Sequence, residues 1–371
     1  MSVVPSSSEL ITESSKYGFI GGKAAPLVTN VAMCSLSLIT LDYMLYNKPM
    51  NNQVYDVIIL GGGPSGLTAA IYTARANLST LVLAGNPPGG QLMLTSEVEN
   101  FPGFPQGIDG PQLIAGMRSQ AEKFSAKCVN ENALEILGSF TDGFTVASDT
   151  GAFYLARTVI IATGAVAKWL ELPNEQRLRG RGVSACATCD GFFFKGKVIA
   201  VVGGGDAAME EATYLTKYAE KVYVLVRGDK DAMKASKIMQ AKAFANPKLE
   251  FKFHTAITNV LGENSVEGLE IQDTQTGVKS IMNDVRGLFV AIGHKPNTDF
   301  LKNAEMVALG KFGYALLKEG TYTHALAEGV FLAGDVSDWK YRQAITASGF
   351  GCMAAMDCEK FIAERSAHAK D

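Results

Sequence analysis

Short apolar runs rich in β-branched residues alternate with helical patterns along most of the chain. The order run, helix, run occurs first at residues 54–60, 67–75 and 80–83, and again at residues 197–202, 206–218 and 221–226. Such runs are typical of strands buried on both faces of a parallel sheet, with helices in the crossovers. The pattern therefore predicts an α/β fold with two Rossmann-like domains.

Other elements are predicted between and after these two units. Residues 111–126 have a helical pattern, residues 330–336 form a buried strand, and residues 347–363 form a helix rich in small residues. Residues 168–182 contain Pro173 and two glycines, which are frequent in turns and loops. We interpret this segment as a connector into the second domain.

The first 52 residues differ from the rest of the chain. A serine-rich start leads into a mostly apolar stretch, residues 24–46, which Asp42 interrupts. A membrane span is disfavoured, because a charge in the hydrocarbon core costs a few kcal/mol. Targeting peptides are usually Arg-rich and acid-poor, whereas Arg75 is the first arginine here and Glu9 lies near the start. A flexible or unprocessed extension is the preferred interpretation, with targeting and an anchor as alternatives.

Composition and charge exclude some classes of function. The net charge of the 371-residue chain is −3, and its aromatic residues do not cluster among lysines and arginines, so nothing indicates a nucleic-acid surface. Six cysteines are too few for a disulfide scaffold in a chain of this length, which fits a reducing compartment. Small molecules or other proteins are the expected partners.

The first glycine motif follows the first apolar run. It reads Gly61-Gly62-Gly63-Pro64-Ser65-Gly66 and stands between a strand and a helix, as a dinucleotide site requires. The first two motif glycines allow a tight turn and a close approach of pyrophosphate to the backbone, and the third allows helix and strand to pack. The acid expected after the second strand is missing, because Ala84 and Gly85 stand there. The ribose contacts must come from other residues.

The second glycine motif reads Gly203-Gly204-Gly205-Asp206-Ala207-Ala208 and has the same context. Two such motifs in one chain imply two bound nucleotides. The following strand ends in Arg227, where an NAD site would place an acid. A cation suits a ribose 2′-phosphate, with Lys230 and Lys234 nearby; a solvated, charged strand end is the alternative.

Cys186-Ala187-Thr188-Cys189-Asp190 lies just before this second motif. Two cysteines separated by two residues can close and reopen a disulfide by exchange. Asp190 can exchange a proton with a neighbouring sulfur if it lies within hydrogen-bond reach. A zinc site would need two more ligands at comparable spacing, and the other cysteines and the four histidines are too far apart in sequence. We therefore predict a redox-active pair and no metal site.

Several further motifs lie outside the glycine motifs and the cysteine pair. Taken with both glycine motifs and the cysteine pair, residues 53–365 resemble the low-molecular-weight thioredoxin reductases. The additional motifs that carry this resemblance are Gly90-Gln91-Leu92, Glu99-Asn100-Phe101-Pro102-Gly103, Ala162-Thr163-Gly164-Ala165, Gly293-His294-Lys295-Pro296-Asn297 and Gly334-Asp335-Val336.

The resemblance implies a discontinuous FAD domain, residues 53–167 and 293–371, with an inserted NADPH domain, residues 168–292, that carries the cysteines; residues 1–52 are an extension. It also implies thioredoxin as the protein substrate, a homodimer and a cytoplasmic location, with an organelle as the alternative. It assigns FAD binding to Gly61, Gly63, Pro64, Ser65, Gly66, Gly90, Gln91, Leu92, Asn100, Ala162, Thr163, Gly164, Gly334, Asp335, Arg342, Gln343 and Ala344, NADPH binding to Gly203, Gly205, Asp206, Ala207, Ala208 and Arg227, and catalysis to Cys186, Cys189 and Asp190.

The sequence departs from the family at the proposed phosphate site. Members of the family usually carry a second arginine after the position of Arg227 and another a few residues on, where Gly228 and Lys234 stand here. Lysine lacks the bidentate fork of arginine, so a reduced preference for NADPH over NADH is expected. The alternative functions are a flavin-dependent dithiol oxidase that uses oxygen and no nicotinamide, and a non-catalytic redox-sensing binding protein.

Overall fold

The computed structural model describes residues 53–94, 97–302 and 304–368. The interpretations of residues 1–52 lie outside this part of the chain. In the described part, no helix is both long and apolar enough to cross a membrane.

The described chain contains 17 strands and seven helices, here numbered in chain order. The strands are β1 (Val54–Leu60), β2 (Thr80–Leu83), β3 (Lys127–Val129), β4 (Ala133–Ser139), β5 (Gly143–Ser148), β6 (Phe153–Ile161), β7 (Ala165–Ala167), β8 (Val183–Ser184), β9 (Val198–Val202), β10 (Lys221–Leu225), β11 (Leu249–Lys252), β12 (Thr255–Leu261), β13 (Gly268–Asp273), β14 (Lys279–Met282), β15 (Leu288–Val290), β16 (His294–Pro296) and β17 (Val330–Leu332). The helices are α1 (Pro64–Arg75), α2 (Gly110–Lys123), α3 (Glu175–Leu178), α4 (Ala187–Asp190), α5 (Asp206–Leu215), α6 (Lys237–Phe244) and α7 (Ala344–His368).

The first sheet combines strands from both ends of the described chain. Its order is β3-β2-β1-β6-β5-β4, and β17 pairs with the second half of β6 in parallel. Strands β1, β2, β3 and β6 are also mutually parallel where they pair, whereas β5 runs antiparallel to β6. Most of β1, β2, β17 and the second half of β6 is buried on both faces, which explains their apolar sequence, whereas the edge strand β3 is partly exposed.

Helices α1 and α7 pack against each other and against one face of this sheet. Pro64 stands in the first turn of α1, where its missing N–H costs no hydrogen bond. Helix α7 approaches the start of α1 so closely that a Cβ added to Gly351 would lie 2.1 Å from the carbonyl oxygen of Ser65. The small residues of α7 therefore allow the two helices to meet beside the first glycine turn.

The second sheet is built from residues 183–290. Its five strands run parallel in the order β11-β10-β9-β15-β8. Helix α5 packs on β9 and β10, and the antiparallel strands β12, β13 and β14 form a separate small sheet. The α/β class with two Rossmann-like units is confirmed.

Two short strands join the parts of the chain that carry the two sheets. Strand β7 pairs antiparallel with β16, and the N–H of Lys168 donates to the carbonyl oxygen of Gly293. The domain boundaries predicted after residues 167 and 292 lie beside this strand pair, so both chain crossings occur at one place.

Several predicted element bounds were wrong. Helix α2 ends at Lys123 and not at residue 126, and α5 ends at Leu215 and not near residue 218. The strand predicted at residues 330–336 stops at Leu332, and Gly334–Val336 form a 3₁₀ turn. The glycine there adopts a positive φ of 77°, which an extended strand does not contain.

Candidate active site

The first glycine turn is built by close backbone contacts. A Cβ at Gly61, whose φ is +121°, would lie 2.2 Å from the carbonyl oxygen of Ala162, and a Cβ at Gly66 would lie 1.9 Å from that of Gly61. Gly63 differs, because its Cβ would meet no atom within 4 Å. The turn thus packs tightly on the sheet while Gly63 faces open space at the start of α1, where backbone N–H groups attract phosphate.

Two buried polar atoms beside this turn have no hydrogen-bond partner in the described protein, Ser65 Oγ and Asp335 Oδ1. Burial raises the pKa of the Asp335 carboxyl to about 7, with the Asp338 charge adding to the rise and Arg342 opposing it. Buried polar atoms are costly unless they are paired. A ligand hydroxyl or phosphate would supply the missing partners.

One large cavity, about 1090 Å³, brings most of the predicted cofactor residues together with the cysteine pair. Gly66 and Gly334 do not line it and instead pack against neighbouring backbone or side-chain atoms. The predicted site residues in its lining are Gly61, Gly63, Pro64, Ser65, Gly90, Gln91, Leu92, Asn100, Ala162, Thr163, Gly164, Cys186, Cys189, Asp190, Asp335, Arg342, Gln343 and Ala344.

Cys186 and Cys189 form a disulfide, with their Cα atoms 5.3 Å apart. Cys186 is the N-cap of the short helix α4, and its sulfur accepts a hydrogen bond from the Cys189 N–H at 3.2 Å. Both sulfurs are therefore bonded to each other and are not metal ligands in this arrangement. Among the described residues, no group of three or more His, Cys, Asp and Glu side chains is placed to hold a metal ion.

Asp190 ends α4 and lines the same cavity. Burial raises the pKa of its carboxyl, and a hydrogen bond from Ser184 works in the opposite direction. A carboxyl with a raised pKa is a better proton donor near neutral pH than an exposed one. Its position next to Cys189 suits proton exchange with sulfur.

The second glycine turn lies outside this cavity lining. A Cβ at Gly203 would lie 2.4 Å from the carbonyl oxygen of Ala291, whereas a Cβ at Gly205 would meet nothing within 4 Å. The Gly204 carbonyl accepts from the N–H groups of Lys234 and Ala235. This turn therefore repeats the design of the first one, with one glycine packed and one facing open space before a helix.

The cations near the second turn are placed differently. Arg227 is exposed two residues after the end of β10, and no hydrogen bond or ion pair within the described residues engages its guanidinium. Lys230 Nζ lies 4.4 Å from the centre of the Phe244 ring. Lys234 is held at the glycine turn through its backbone. Arg227 and Lys234 are thus available to an anionic group, whereas Lys230 has another contact.

Sequence reasoning missed some residues of the cavity. Asn86, Glu131 and Asn132 follow the ends of β2 and β3 and supply polar atoms where the expected acid is absent. The rule that ligands bind at the carboxyl ends of parallel strands could have found them. His294 also lines the cavity; burial, with Arg342 and Lys168, lowers its pKa to about 4, so it is neutral at pH 7.

Comparison with known proteins shows the family. The pyridine nucleotide-disulphide oxidoreductase family matches residues 55–351. A thioredoxin reductase of Streptomyces coelicolor is 48% identical, covering 85% of this chain and 96% of that protein. A thioredoxin reductase from Giardia duodenalis (39% identity; 84% and 100% coverage) superposes with a TM-score of 0.79, and that of Lactococcus lactis in the FR conformation (34%; 84% and 99%) with 0.55. The chain therefore belongs to the pyridine nucleotide-disulphide oxidoreductases and, within them, to the thioredoxin reductases, which confirms the resemblance.

Proposed function

We propose that the protein uses NADPH, FAD and the Cys186–Cys189 disulfide in turn to reduce oxidised thioredoxin. The observation that carries this proposal is the shared cavity, which joins the first glycine turn to the disulfide and to Asp190. The direct test is NADPH-dependent reduction of a purified thioredoxin by the full chain. A protein whose flavin is not bleached by NADPH, but which passes electrons from a dithiol to oxygen, would be a dithiol oxidase instead.

The residues of the cavity fit FAD. The N-terminus of α1 and the open position at Gly63 suit the pyrophosphate, and the unpaired atoms of Ser65 and Asp335 suit hydroxyl or phosphate oxygens. When bound, FAD would supply the two-electron chemistry that links a nicotinamide to a disulfide.

Gly63→Ala is expected to abolish FAD binding without unfolding the protein. The new methyl group clashes with no protein atom, but it occupies the space into which we place the pyrophosphate. Gly116→Ala is the matched control, because a Cβ at this exposed position on α2 also meets nothing within 4 Å. The measurement is flavin content after purification and reconstitution. A yellow, fully loaded Gly63→Ala protein would contradict the placement of FAD.

The second glycine turn and Arg227 are proposed to hold NADPH. The family's second arginine has no ready place here, because a Cβ at Gly228 would lie 2.7 Å from the Cβ of Ala232. The exposed and unpaired Arg227 then supplies the one guanidinium, with Lys234 as a point charge beside the turn.

Arg227→Ala is expected to raise the KM for NADPH by about 10- to 100-fold, the worth of a hydrogen bond to a charged group. The KM for NADH should stay within about twofold, since NADH lacks the 2′-phosphate. Steady-state kinetics with both nucleotides measures this split. Lys230→Ala is the control, because its ammonium group lies over Phe244. Equal increases for both nucleotides would mean that Arg227 does not select the phosphate.

The chain's own chemistry is thiol–disulfide exchange. Reduction of the pair takes up two electrons and two protons and gives two thiols. By resemblance to the family, the Cys189 thiolate attacks the thioredoxin disulfide, forming a mixed disulfide and releasing one thioredoxin thiolate. Cys186 then attacks Cys189, which restores the pair and releases reduced thioredoxin. Asp190 is placed to take the proton from the attacking thiol and to return one to the departing thiolate.

Only the first glycine turn lines the cavity in this arrangement, so a nucleotide at the second turn would lie outside it. The cysteine pair faces it, and the second turn does not. We infer that the inserted domain swings about the β7–β16 strand pair, where the two connecting segments lie side by side. The lower TM-score against the L. lactis structure in the FR conformation, at similar coverage, supports a second arrangement of the same parts.

A protein substrate suits the surface beside the disulfide. Phe192 is 59% exposed and Phe193 is 39% exposed, directly after the redox motif. Exposed aromatic side chains of this kind are typical of protein contact sites. A homodimer and a cytoplasmic location stay proposals that rest on the family and on the cysteine usage.

A further inference from the structure

Gln343 joins the two parts of the structure at the cysteine pair. Its Oε1 accepts from Asn100 Nδ2 at 3.3 Å. Its Nε2 donates to Thr188 Oγ1 at 3.2 Å and lies 3.8 Å from Cys186 Sγ, and it also reaches the carbonyl oxygen of Arg342 at 3.1 Å. Thr188 stands between the two cysteines, and its hydroxyl is 3.4 Å from Cys186 Sγ. One side chain of the proposed FAD domain therefore holds the loop that contains the disulfide.

The loop that presents Gln343 is rigid. The buried carboxylate of Asp338 accepts from the N–H groups of Lys340 and Tyr341, both at 2.9 Å, and from that of Arg342 at 3.3 Å. Arg342 has a positive φ of 48°, which is unfavourable for a residue with a side chain. Its guanidinium donates to the Trp339 carbonyl oxygen at 2.9 Å. Backbone strain of this kind persists where surrounding contacts fix the conformation, and it is frequent at functional sites.

Arg342 also acts electrostatically on a residue of the inserted part. Its charge acts on Glu211, which lies on α5 of the inserted part and is adjacent to α4. Glu211 Oε2 is buried and has no hydrogen-bond partner in the described protein. Burial raises the pKa of this carboxyl to about 7, and Arg342 lowers it. The Arg342 cation therefore favours the charged form of a buried acid in the inserted part, and this attraction adds to the hydrogen bond between Gln343 and Thr188.

We propose that residues 338–343 form an interdomain clasp that keeps the disulfide against the cavity through Thr188 and Glu211. This proposal rests on the proposed function, because it concerns the arrangement in which electrons reach the disulfide. Glu211 and Thr188 are then positioning residues, because both set how often the pair faces the cavity; the Thr188 hydroxyl also lies 3.4 Å from Cys186 Sγ, so a change in thiol pKa has to be separated from a change in position. When the inserted domain swings away, both contacts break together.

The test measures the fraction of molecules in the open arrangement, without enzymatic turnover. Full-length, FAD-loaded protein is reduced with a phosphine in the absence of oxygen and NADPH, and the pair is alkylated with iodoacetamide. In this arrangement Cys189 is exposed towards the cavity that FAD would fill, so in FAD-loaded protein the alkylation rate follows the fraction of molecules that have opened. Peptide mass spectrometry measures labelling at Cys189, with the fully buried Cys358 as the internal reference.

Thr188→Val, which removes the hydroxyl at nearly constant volume, should raise the alkylation rate about 2- to 10-fold, the worth of one hydrogen bond. Thr188→Ser keeps the hydroxyl and should behave like the unmodified protein. Glu211→Gln should also raise the rate, whereas Glu210→Gln should not, because the Glu210 charge raises the pKa of Glu211 and its removal favours the charged form that Arg342 attracts.

The alkylation rate is measured across pH, so that a change in the pKa of the thiol is separated from a change in the fraction of open molecules. A change in thiol pKa moves the midpoint of the profile, whereas a change in the open fraction moves the plateau. Unchanged plateaus in both Thr188→Val and Glu211→Gln would overturn the clasp, and so would an equal rise in Glu210→Gln. Failure of the proposed function would be seen in a different measurement. In that case NADPH would not reduce the flavin of the unmodified protein, whatever the alkylation rates.

Discussion

Cys189→Ser protein is expected to lose thioredoxin reduction completely while it keeps its FAD and its reduction by NADPH. One remaining thiol cannot close an intramolecular disulfide, so two electrons cannot pass through the pair. Cys186→Ser should lose turnover as well, but its Cys189 should trap thioredoxin as a stable mixed disulfide. The measurements are thioredoxin turnover and non-reducing electrophoresis of the trapped complex.

Cys352→Ser is the control for this pair, because Cys352 is a partly exposed thiol on α7, outside the cavity lining. Its turnover should equal that of the unmodified protein. Trapping of thioredoxin on Cys186 in the Cys189→Ser protein, without trapping on Cys189 in the Cys186→Ser protein, would reverse the two roles.

Asp190→Asn should slow exchange with thioredoxin by about 10²- to 10⁴-fold, the usual contribution of a general acid–base group. The amide keeps the shape of the side chain but can neither accept nor return the proton. FAD content and the rate of flavin reduction by NADPH should not change. Stopped-flow mixing of the reduced protein with oxidised thioredoxin isolates this step.

The pH dependence gives a second check on Asp190. Because burial raises its pKa, the protonated acid persists to higher pH than an exposed aspartate and is lost as the pH rises through that raised value. The step that protonates a departing thiolate should slow over the same range, and Asp190→Asn should lack this dependence. Glu220→Gln removes an exposed carboxylate elsewhere in the inserted part and should leave the profile unchanged. Unchanged exchange in Asp190→Asn would remove the carboxyl from the mechanism.

The sequence was most informative where function depends on local geometry. A glycine turn between a strand and a helix needs only a few consecutive residues, so the turns at Gly61 and Gly203 were visible as motifs, and so was the Cys186–Cys189 spacing. The α/β class followed from the apolar runs for the same reason. Element ends were less predictable: the apolar run from residue 330 was extended through Gly334 and Asp335 to residue 336, but the positive φ of Gly334 turns the chain.

Contacts between distant residues could not be predicted. Gln343 and Thr188 are 155 residues apart, and nothing in either segment indicates that they meet. The same holds for β17, which pairs with β6 from the far end of the chain. The motif around Arg342 and Gln343 suggested only cofactor binding, whereas the Gln343–Thr188 hydrogen bond and the action of the Arg342 charge on Glu211 depend on the folded arrangement of distant segments.

We propose that electrons from NADPH reach thioredoxin through the flavin and the disulfide of this one chain. The most direct test is an anaerobic stopped-flow experiment in which the yellow protein is first reduced with NADPH and then mixed with oxidised thioredoxin. We expect bleaching of the flavin by NADPH, followed by return of the yellow colour as thioredoxin disulfide is consumed in an amount equal to the NADPH added. A flavin that stays bleached with thioredoxin and regains its colour only when oxygen is admitted would contradict it.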